Sequence, residues 1–156
     1  MTQAEHLASL HPRLRAAYAR ALAEYVRLYP GRTVPRVISS HRPQLDCARV
    51  AGACSGASKH SRYPAEAVDV DAGADWSKST DPHGYAADFA RLVQAADPCI
   101  EWGGRYRQRD VPHFELQMDR AGCSRLPLRS PSGGPASAAT WGLALSAAVL
   151  LLLVTR

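Results

Sequence analysis

The residues of this chain best suited to chemistry are two histidines and two aspartates from distant parts of the sequence. His60, Asp69 and His113 stand in separate segments, and Asp110 lies three residues before His113. Two imidazoles and one carboxylate form a ligand set that zinc accepts, and catalytic zinc commonly keeps a fourth position for water. Zinc lowers the pKa of such a water to about 7. The four residues therefore predict a hydrolytic zinc centre.

The segment after Pro112 alternates between polar and apolar residues. Successive side chains of a strand point to opposite faces, so this alternation predicts a strand with one polar and one apolar face. The polar face carries His113, Glu115 and Gln117, and the apolar face carries Phe114, Leu116 and Met118. Proline is tolerated mainly at the first residue of a strand or on an edge, so we place Asp110 in the preceding turn. We expect Glu115 to accept a hydrogen bond from a ligand imidazole.

The segment Ala67–Asp71 shows the same alternation. It sends Val68 and Val70 to one face, which we expect to be buried, and it sends Asp69 and Asp71 together to the other face. Either carboxylate could reach a metal ion. The choice between them stays open at this point.

Five segments of the chain, in the same order, resemble the zinc D,D-carboxypeptidases and L-alanyl-D-glutamate endopeptidases. They are Ser39-Ser40-His41-Arg42, Ser58-Lys59-His60, Ala67-Val68-Asp69, Glu101-Trp102-Gly103-Gly104 and Asp110-Val111-Pro112-His113-Phe114-Glu115-Leu116. Within this family, the tryptophan and paired glycines before the last segment look most like phage endolysins that cut the peptide stem of bacterial peptidoglycan. The resemblance covers roughly residues 7 to 118. Each fragment alone is weak, but five in the right order are specific.

The resemblance implies a role for each residue of the predicted centre. It makes His60, Asp69 and His113 the ligands of a zinc ion and Asp110 the catalytic base. One feature departs from the family: His60 and Asp69 are nine residues apart, which is longer than the usual spacing. A loop insertion explains this difference, but it leaves Asp71 as a rival to Asp69.

The resemblance also implies residues that contact the substrate. It places Ser58 and Arg42 along the cleft, and His41 beside Arg42 is either a substrate contact or an ordinary loop residue. A guanidinium group is always charged and forked, so Arg42 suits either the oxyanion of the reaction or a carboxylate of the stem peptide. Both roles stay open.

The function that the resemblance implies is zinc-dependent hydrolysis of the peptidoglycan stem peptide, as in phage-type cell lysis. Cleavage of the L-alanyl-D-glutamate bond is favoured over D-alanyl-D-alanine carboxypeptidase activity, because aspartate occupies the base position and the Trp-Gly-Gly segment looks endolysin-like. A different class of function is a non-catalytic module, in which zinc only stabilises a surface that binds the cell wall. In the enzyme, Asp110 would take a proton from the attacking water and return it to the leaving amine.

Length and charge narrow the alternatives. The 156 residues allow one small domain and a tail, but no second enzyme domain. The formal charge of +5 comes almost wholly from arginine, since Lys59 and Lys78 are the only lysines. A basic surface favours anionic cell-wall polymers, lipid headgroups or nucleic acid. The arginines are dispersed and no nucleic-acid-reading module is recognisable, so we expect no nucleic-acid partner.

Two helix signals open the chain. Thr2 and Glu5 have the form of a capping box, and Pro12 suits the first turn of a further helix. That helix is predicted to continue to Pro30-Gly31 and to turn one stripe of residues toward the core. The stripe consists of Leu14, Tyr18, Ala21, Leu22, Tyr25 and Tyr29. We interpret it as a packing surface and not as an aromatic binding stripe.

Strands and helices are interspersed along the rest of the domain. Val34 to Ser39 reads as a short strand, and a later helix is predicted to have Asp81 as its cap, Pro82 at its first position and its end at Asp97. We therefore expect an α+β domain in which helices pack on a small antiparallel sheet. This arrangement resembles the fold shared by Hedgehog proteins and D,D-peptidases.

The composition changes sharply after residue 126, where we expect the peptidase domain of residues 1–126 to end. Residues 127–137 are rich in Pro, Gly and Ser and are predicted to form a flexible linker. Residues 138–154 carry no charge, and their length is at the lower limit of about 17 to 25 residues for a helix that spans a membrane. Trp141 would lie near one interface and Arg156 beyond the other.

Such a tail predicts an enzyme anchored to a membrane and acting in the periplasm or cell wall. The amino terminus has no apolar signal-peptide core. Arg120, Arg125 and Arg129 precede the apolar tail and only Arg156 follows it, which by the positive-inside tendency favours a cytoplasmic domain. The topology stays open, because the enzyme could wait at the inner face or use its tail to cross or disrupt the membrane.

Four cysteines allow three pairings. In an oxidising compartment we expect Cys47 to pair with Cys54 and Cys99 with Cys123, whereas a cytoplasmic domain would keep free thiols. None of the four belongs to the predicted metal set, so a cysteine nucleophile is not expected.

Several other conspicuous residues are interpreted as structural. His6, His11 and His83 have no neighbours suited to binding a metal. Trp102 is expected in the core and not as a platform for sugar stacking. The glycine pair Gly103-Gly104 is interpreted as a tight turn that needs a positive φ.

Overall fold

The computed structural model describes residues 1–43 and 58–124, which belong to the first of two units, Met1–Arg125. The helices are α1 (Gln3–Ser9), α2 (Pro12–Leu28) and α3 (Tyr85–Ala96). The strands are β1 (Arg36–Ser39), β2 (Ala67–Asp71), β3 (Ile100–Trp102) and β4 (His113–Leu116). Short 3-10 turns cover Lys59–Ser61, Gly73–Asp75 and Gly103–Arg105. The predicted α+β class is confirmed.

The first two helices begin where the sequence predicts. The Thr2 hydroxyl accepts a hydrogen bond from the Glu5 N–H at 3.3 Å, and the Glu5 carboxylate accepts one from the Thr2 N–H at 2.6 Å. This reciprocal pair is a capping box. Pro12 is the first residue of α2, where its missing N–H costs nothing.

The start of α3 corrects a prediction. The helix begins at Tyr85, not at Pro82, because Gly84 adopts the left-handed conformation with φ +72° and separates the preceding turn from the helix. Asp81 still acts as a cap, since its carboxylate accepts hydrogen bonds from two N–H groups of the first helical turn at 3.2 and 2.9 Å. The predicted end at Asp97 is confirmed.

The four strands form one antiparallel sheet in the order β1-β2-β4-β3. The sequence predicted that the first strand begins at Val34, but β1 begins at Arg36. Pro35 lacks an N–H for strand pairing, and its carbonyl accepts a hydrogen bond from the Tyr18 hydroxyl at 2.8 Å. In the centre of the sheet, Asp69 of β2 stands opposite His113 of β4.

One face of the sheet packs against α2 and α3. The predicted inward residues of β2 and β4 are buried: Val68, Val70, Phe114 and Leu116 are each at most 2% exposed. The ring of Phe89 in α3 contacts four aromatic rings edge-on or stacked, those of Tyr18, Tyr25, Trp76 and Phe114. Burial of one face leaves the other face of the sheet for polar residues.

The predicted core position of Trp102 is also confirmed. Its ring is 6% exposed, and its indole N–H donates to the Val111 carbonyl at 2.7 Å. The stripe of α2 is buried or partly buried against the same core along its length.

A disulfide and a buried ion pair secure the last described residues. Cys99 and Cys123 form a disulfide, one of the pairings that the sequence allows. Arg13 of α2 is 6% exposed and binds both carboxylate oxygens of Asp97, at 2.8 and 2.7 Å. The same guanidinium donates to the Cys123 carbonyl. These contacts join α2, the end of α3 and the segment around Cys123.

Three predictions concern residues outside the described ranges. The predicted Cys47–Cys54 bridge, the linker at 127–137 and the membrane helix at 138–154 all lie there. Within residues 1–43 and 58–124, no helix combines the length and the apolar character needed to cross a bilayer.

Replacing Cys99 and Cys123 together by alanine is expected to lower the free energy of unfolding by about 3 kcal/mol. A bond that closes a loop with a sequence separation of 24 residues restricts the unfolded chain by about this amount. Urea unfolding followed by circular dichroism, with a chelator present in both samples, measures the difference. A double variant as stable as the wild type would contradict the bond.

Candidate metal centre

The polar face of the sheet brings the predicted metal residues together. Asp69 and His113 are direct cross-strand neighbours on β2 and β4. His60 comes from the 3-10 turn Lys59–Ser61 and is 5% exposed. Within the described ranges, these three residues are the group of His, Cys, Asp and Glu side chains that could hold a metal ion. Asp71 is not part of it, because it pairs with Arg36 at the far end of β2.

Three ligand atoms of this group form a nearly equilateral triangle. His60 Nε2 lies 3.4 Å from His113 Nδ1 and 3.3 Å from Asp69 Oδ1, and His113 Nδ1 lies 3.0 Å from the same oxygen. Tetrahedral zinc with ligand bonds of about 2.0 to 2.1 Å separates neighbouring ligand atoms by about 3.3 to 3.4 Å. The donor set and its spacing therefore fit zinc, with a fourth position left for another ligand.

Hydrogen bonds outside the triangle orient both imidazoles. His60 Nδ1 donates to the Ser40 carbonyl at 2.7 Å, so its Nε2 faces the centre. His113 Nε2 donates to Glu115 Oε2 at 3.2 Å, so its Nδ1 faces the centre. The predicted bond between Glu115 and a histidine is present. Acceptors of this kind fix ring orientation and tautomer around metal ions in proteins.

The electrostatics of the triangle favour a cation. Burial opposes ionisation of Asp69, but hydrogen bonds from His113 and His60 hold the pKa of its carboxyl well below the ordinary value. Burial also opposes the charged form of His113, yet the bonds to Asp69 and Glu115 raise its pKa to about 9. A metal ion would replace the proton that His113 shares with Asp69. The carboxylate itself is ionised and ready to bind a cation.

Arg42, predicted to line the cleft, lies at the edge of the triangle. Its guanidinium donates to the second oxygen of Asp69 and, through Nε, to the Ser39 hydroxyl at 2.7 Å. Its backbone N–H donates to the His60 carbonyl at 2.8 Å. The side chain is 29% exposed. Arg42 therefore contacts one member of the triangle directly and fixes the backbone of another.

Ser58 and His41, the other predicted cleft residues, form no hydrogen bond or ring contact with the triangle in the described part of the chain. Ser58 precedes the turn that carries His60, and its hydroxyl makes no hydrogen bond to a described residue. The His41 ring packs edge-on against Tyr63, with ring centroids 5.2 Å apart. The Tyr63 side chain is 75% exposed.

Asp110 lies beside His113 in the turn that the sequence predicts. Its N–H donates to the Gly103 carbonyl at 2.9 Å, and its carbonyl accepts from the His113 N–H at 3.1 Å. Its carboxylate has no hydrogen-bond partner among residues 1–43 and 58–124. The backbone thus holds Asp110 beside His113 without using its carboxylate oxygens.

Glycine is required at positions 103 and 104 for a different reason from the positive φ that was expected. Neither Gly103 nor Gly104 has a positive φ. A Cβ on Gly103 would lie 2.5 Å from the Asp110 carbonyl oxygen and 3.0 Å from His113 Cβ. A Cβ on Gly104 would lie 2.2 Å from the Trp102 ring. Close packing requires both glycines, and at Gly103 it brings Asp110 against His113.

Several residues around the centre have contacts that were not predicted from the sequence. Lys59 Nζ contacts Glu115 Oε1 at 3.3 Å and Gln117 Oε1 at 3.0 Å, on the side of Glu115 away from His113. The Tyr106 ring lies 6.3 Å from the His113 ring, and its hydroxyl is buried without a hydrogen-bond partner in the described part of the chain. Only the folded chain brings these residues to the site.

The remaining histidines lie outside the triangle, as predicted. His11 accepts a hydrogen bond from the Arg13 N–H at the start of α2, and the His83 ring packs beside Tyr85. His6 bonds to Ser40.

Comparison with known proteins finds a structural likeness. No protein-family model matches the chain, and no curated protein matches it. The fold is similar to the crystal structure of the Serratia marcescens L-Ala D-Glu endopeptidase ChiX, with a TM-score of 0.56 and 27% sequence identity. The match covers 75% of this chain and 87% of that one. The α+β domain therefore shares its fold with a peptidase.

Replacing Glu115 by alanine is expected to weaken zinc binding by about 10 to 100-fold, the usual cost of losing the acceptor that orients a ligand histidine. Competition with a chromophoric chelator measures the affinity. Glu101→Ala is the matched control, because Glu101 stands opposite Glu115 in the sheet and bonds to Gln117 but not to His113. Equal losses in both variants would contradict the role of Glu115.

Replacing Gly103 by alanine is expected to cost about 1 to 3 kcal/mol of unfolding free energy, because the new methyl group must push Asp110 and His113 apart. Gly73→Ala serves as a comparison, since a Cβ there meets no atom within 4 Å although φ is +64°. Thermal and urea unfolding measure both. If Gly103→Ala lowers the free energy of unfolding less than Gly73→Ala does, the close contact of residue 103 with Asp110 and His113 does not require glycine.

Proposed function

We propose that this chain is a zinc-dependent peptidoglycan peptidase that cleaves the stem peptide between L-alanine and D-glutamate. The observation that carries the proposal is the triangle of His60, Asp69 and His113, whose ligand atoms lie 3.0 to 3.4 Å apart. The structural likeness to an L-Ala D-Glu endopeptidase supports the choice of substrate. The acidic side chain of Asp110, next to His113, supports hydrolysis over a purely structural metal.

The triangle would hold the ion, and each of its residues has a partner that keeps it in place. When bound, zinc supplies a Lewis acid and a water of lowered pKa. Asp69 is ionised and anchored by Arg42. His60 and His113 each present one nitrogen inward because the other nitrogen is engaged. The three side chains are therefore already oriented for binding an ion.

Asp110 is proposed as the group that moves the proton. Its carboxylate, with no hydrogen bond in the described part of the chain, can accept a proton from the water that attacks the scissile carbonyl carbon. The carbon–nitrogen bond of the peptide then breaks, and Asp110 returns the proton to the leaving amine. The backbone bonds to Gly103 and His113 hold the main chain of Asp110 beside the proposed ligand, which supports this role.

Arg42, Ser58 and His41 are proposed to face the substrate. Arg42 is partly exposed while it binds Asp69, so its charge can attract a carboxylate of the stem peptide or the oxyanion of the reaction. Ser58 and His41 flank the His60 turn and Arg42 along the chain. These positions support contacts to peptide on either side of the scissile bond.

The cellular setting that we propose is phage-type lysis, in the periplasm or cell wall, with residues 138–154 as a membrane anchor. The Cys99–Cys123 bond supports an oxidising compartment, because disulfides form and persist outside the cytoplasm. The uncharged composition of the tail supports the anchor.

The decisive experiment is digestion of purified sacculi with the full chain, followed by mass spectrometry of the released muropeptides. A new amino terminus on D-glutamate supports the proposed bond, whereas loss of terminal D-alanine would replace it with carboxypeptidase activity. Binding of zinc and wall without any new terminus would leave only a non-catalytic module. A chelator should abolish cleavage, and added zinc should restore it.

Replacing Asp110 by alanine is expected to lower turnover by about 10² to 10⁴-fold, the typical contribution of a positioned acid–base group. Zinc content and unfolding temperature should stay near wild type, because the Asp110 carboxylate supports no described contact. Asp119→Ala, at an exposed aspartate, is the matched control and should keep full activity. Full activity of the Asp110 variant would exclude it as the base.

A further inference from the structure

A chain of hydrogen bonds joins α1 to the ring of His60. The Ser40 carbonyl accepts the Nδ1 proton of His60 at 2.7 Å, and Ser40 follows directly after the last residue of β1. Ser40 is 1% exposed, so water cannot substitute for its partners. The orientation of this one carbonyl sets the direction in which the imidazole points.

The Ser40 side chain is held in turn by α1. The Ser9 hydroxyl donates to the Ser40 hydroxyl at 2.8 Å, and His6 Nδ1 lies 2.9 Å from the same oxygen. Ser9 is buried at 6% exposure. Both contacts reach across more than thirty residues of sequence. They fix the residue whose carbonyl binds His60.

The end of α1 also holds the segment that follows His60. The Ala65 N–H donates to the Ser9 carbonyl at 2.8 Å, and the Ala65 carbonyl accepts from the His11 N–H at 2.8 Å. Ala65 is fully buried. The junction of α1 and α2 therefore binds the chain on both sides of His60, at Ser40 before it and at Ala65 after it.

We infer that α1 is a positioning element of the metal centre, which acts on His60 through Ser40. The inference rests on the proposed zinc site and adds to it residues that touch neither metal nor substrate. A helix that served only the stability of the domain would need none of these polar contacts, since apolar packing would suffice. Buried hydroxyl groups that bond to one another specify a single arrangement, and the arrangement here ends at a ligand.

The test uses the full chain and two single variants, Ser40→Ala and Ser9→Ala. Ser40→Ala removes the hydroxyl but keeps the carbonyl, and Ser9→Ala removes the α1 hydroxyl that contacts both Ser40 and the His6 carbonyl. Each variant is expected to weaken zinc affinity by about 10-fold, the lower end of the range for partners outside the ligand set. Chelator competition measures the affinity, and the visible spectrum of the cobalt-substituted protein reports the ligand geometry.

The control is Ser77→Ala, which removes an exposed hydroxyl pair, Ser77 with Thr80 at 2.6 Å, that makes no hydrogen bond to Ser40 or His60. It should keep wild-type zinc affinity. Unfolding of metal-free samples separates a stability effect from a positioning effect. If both α1-network variants lose stability but bind zinc as tightly as wild type, with an unchanged cobalt spectrum, the inference is wrong. A wild-type chain that binds no zinc would overturn this inference and the proposed function together.

If one variant fails to fold, the other still tests the inference, because the two substitutions remove opposite ends of the same hydrogen bond. Wild-type zinc affinity in either folded variant contradicts a role for α1 in holding His60. If wild type binds zinc but cleaves no wall peptide, the proposed activity fails, while a 10-fold loss in the variants still supports the positioning role.

Discussion

The pairing of β2 with β4 is the constraint on which the rest of the site depends. In this antiparallel register Asp69 stands directly opposite His113, so a carboxylate and an imidazole meet without any loop to hold them. Side chains in a strand alternate with a period of two, and a slip of one residue would send one partner to the opposite face. The aromatic core under the sheet, around Phe89 and Phe114, penalises such a slip because it would expose apolar side chains.

His60 is the member of the triangle that the sheet does not supply. It sits on a single 3-10 turn, and a turn of three residues has few contacts of its own. Other segments hold His60 in place. The Ser40 carbonyl orients the His60 ring, and the Arg42 N–H donates to the His60 carbonyl. Arg42 also binds Asp69. The turn and the sheet are therefore linked through one arginine as well as through the triangle.

The fold by itself does not identify the activity of this protein. One fold can host unrelated activities. The likeness to a peptidase therefore supports a hydrolytic function only together with the residues on the polar face of the sheet. Two imidazoles and an ionised carboxylate are spaced as zinc requires, and Asp110 is joined through its backbone to one of the histidines. The disulfide and the Arg13–Asp97 pair lie in another part of the domain and serve its stability.

The sequence by itself determined the local features, because these depend on neighbours along the chain. Alternation of polar and apolar residues predicted the inward and outward faces of β2 and β4, and Thr2 and Pro12 predicted the starts of α1 and α2. The types of the candidate metal ligands were also visible, with a family resemblance to imply their roles. The contact between Glu115 and a histidine was expected because strand periodicity puts Glu115 on the same face as His113, a predicted metal ligand.

Only the tertiary structure decided relations across space. Asp69 and Asp71 share a face, and the strand register alone brings Asp69 to the histidines. Gly103 reads as a turn glycine, whereas the crowding that requires it comes from Asp110 and His113 after the chain has folded back. Ser40 belongs to a segment that the resemblance singles out, but its role does not follow from the sequence, since a backbone carbonyl is the same in every residue. Its direction is set by α1, a helix distant in sequence and adjacent in the fold.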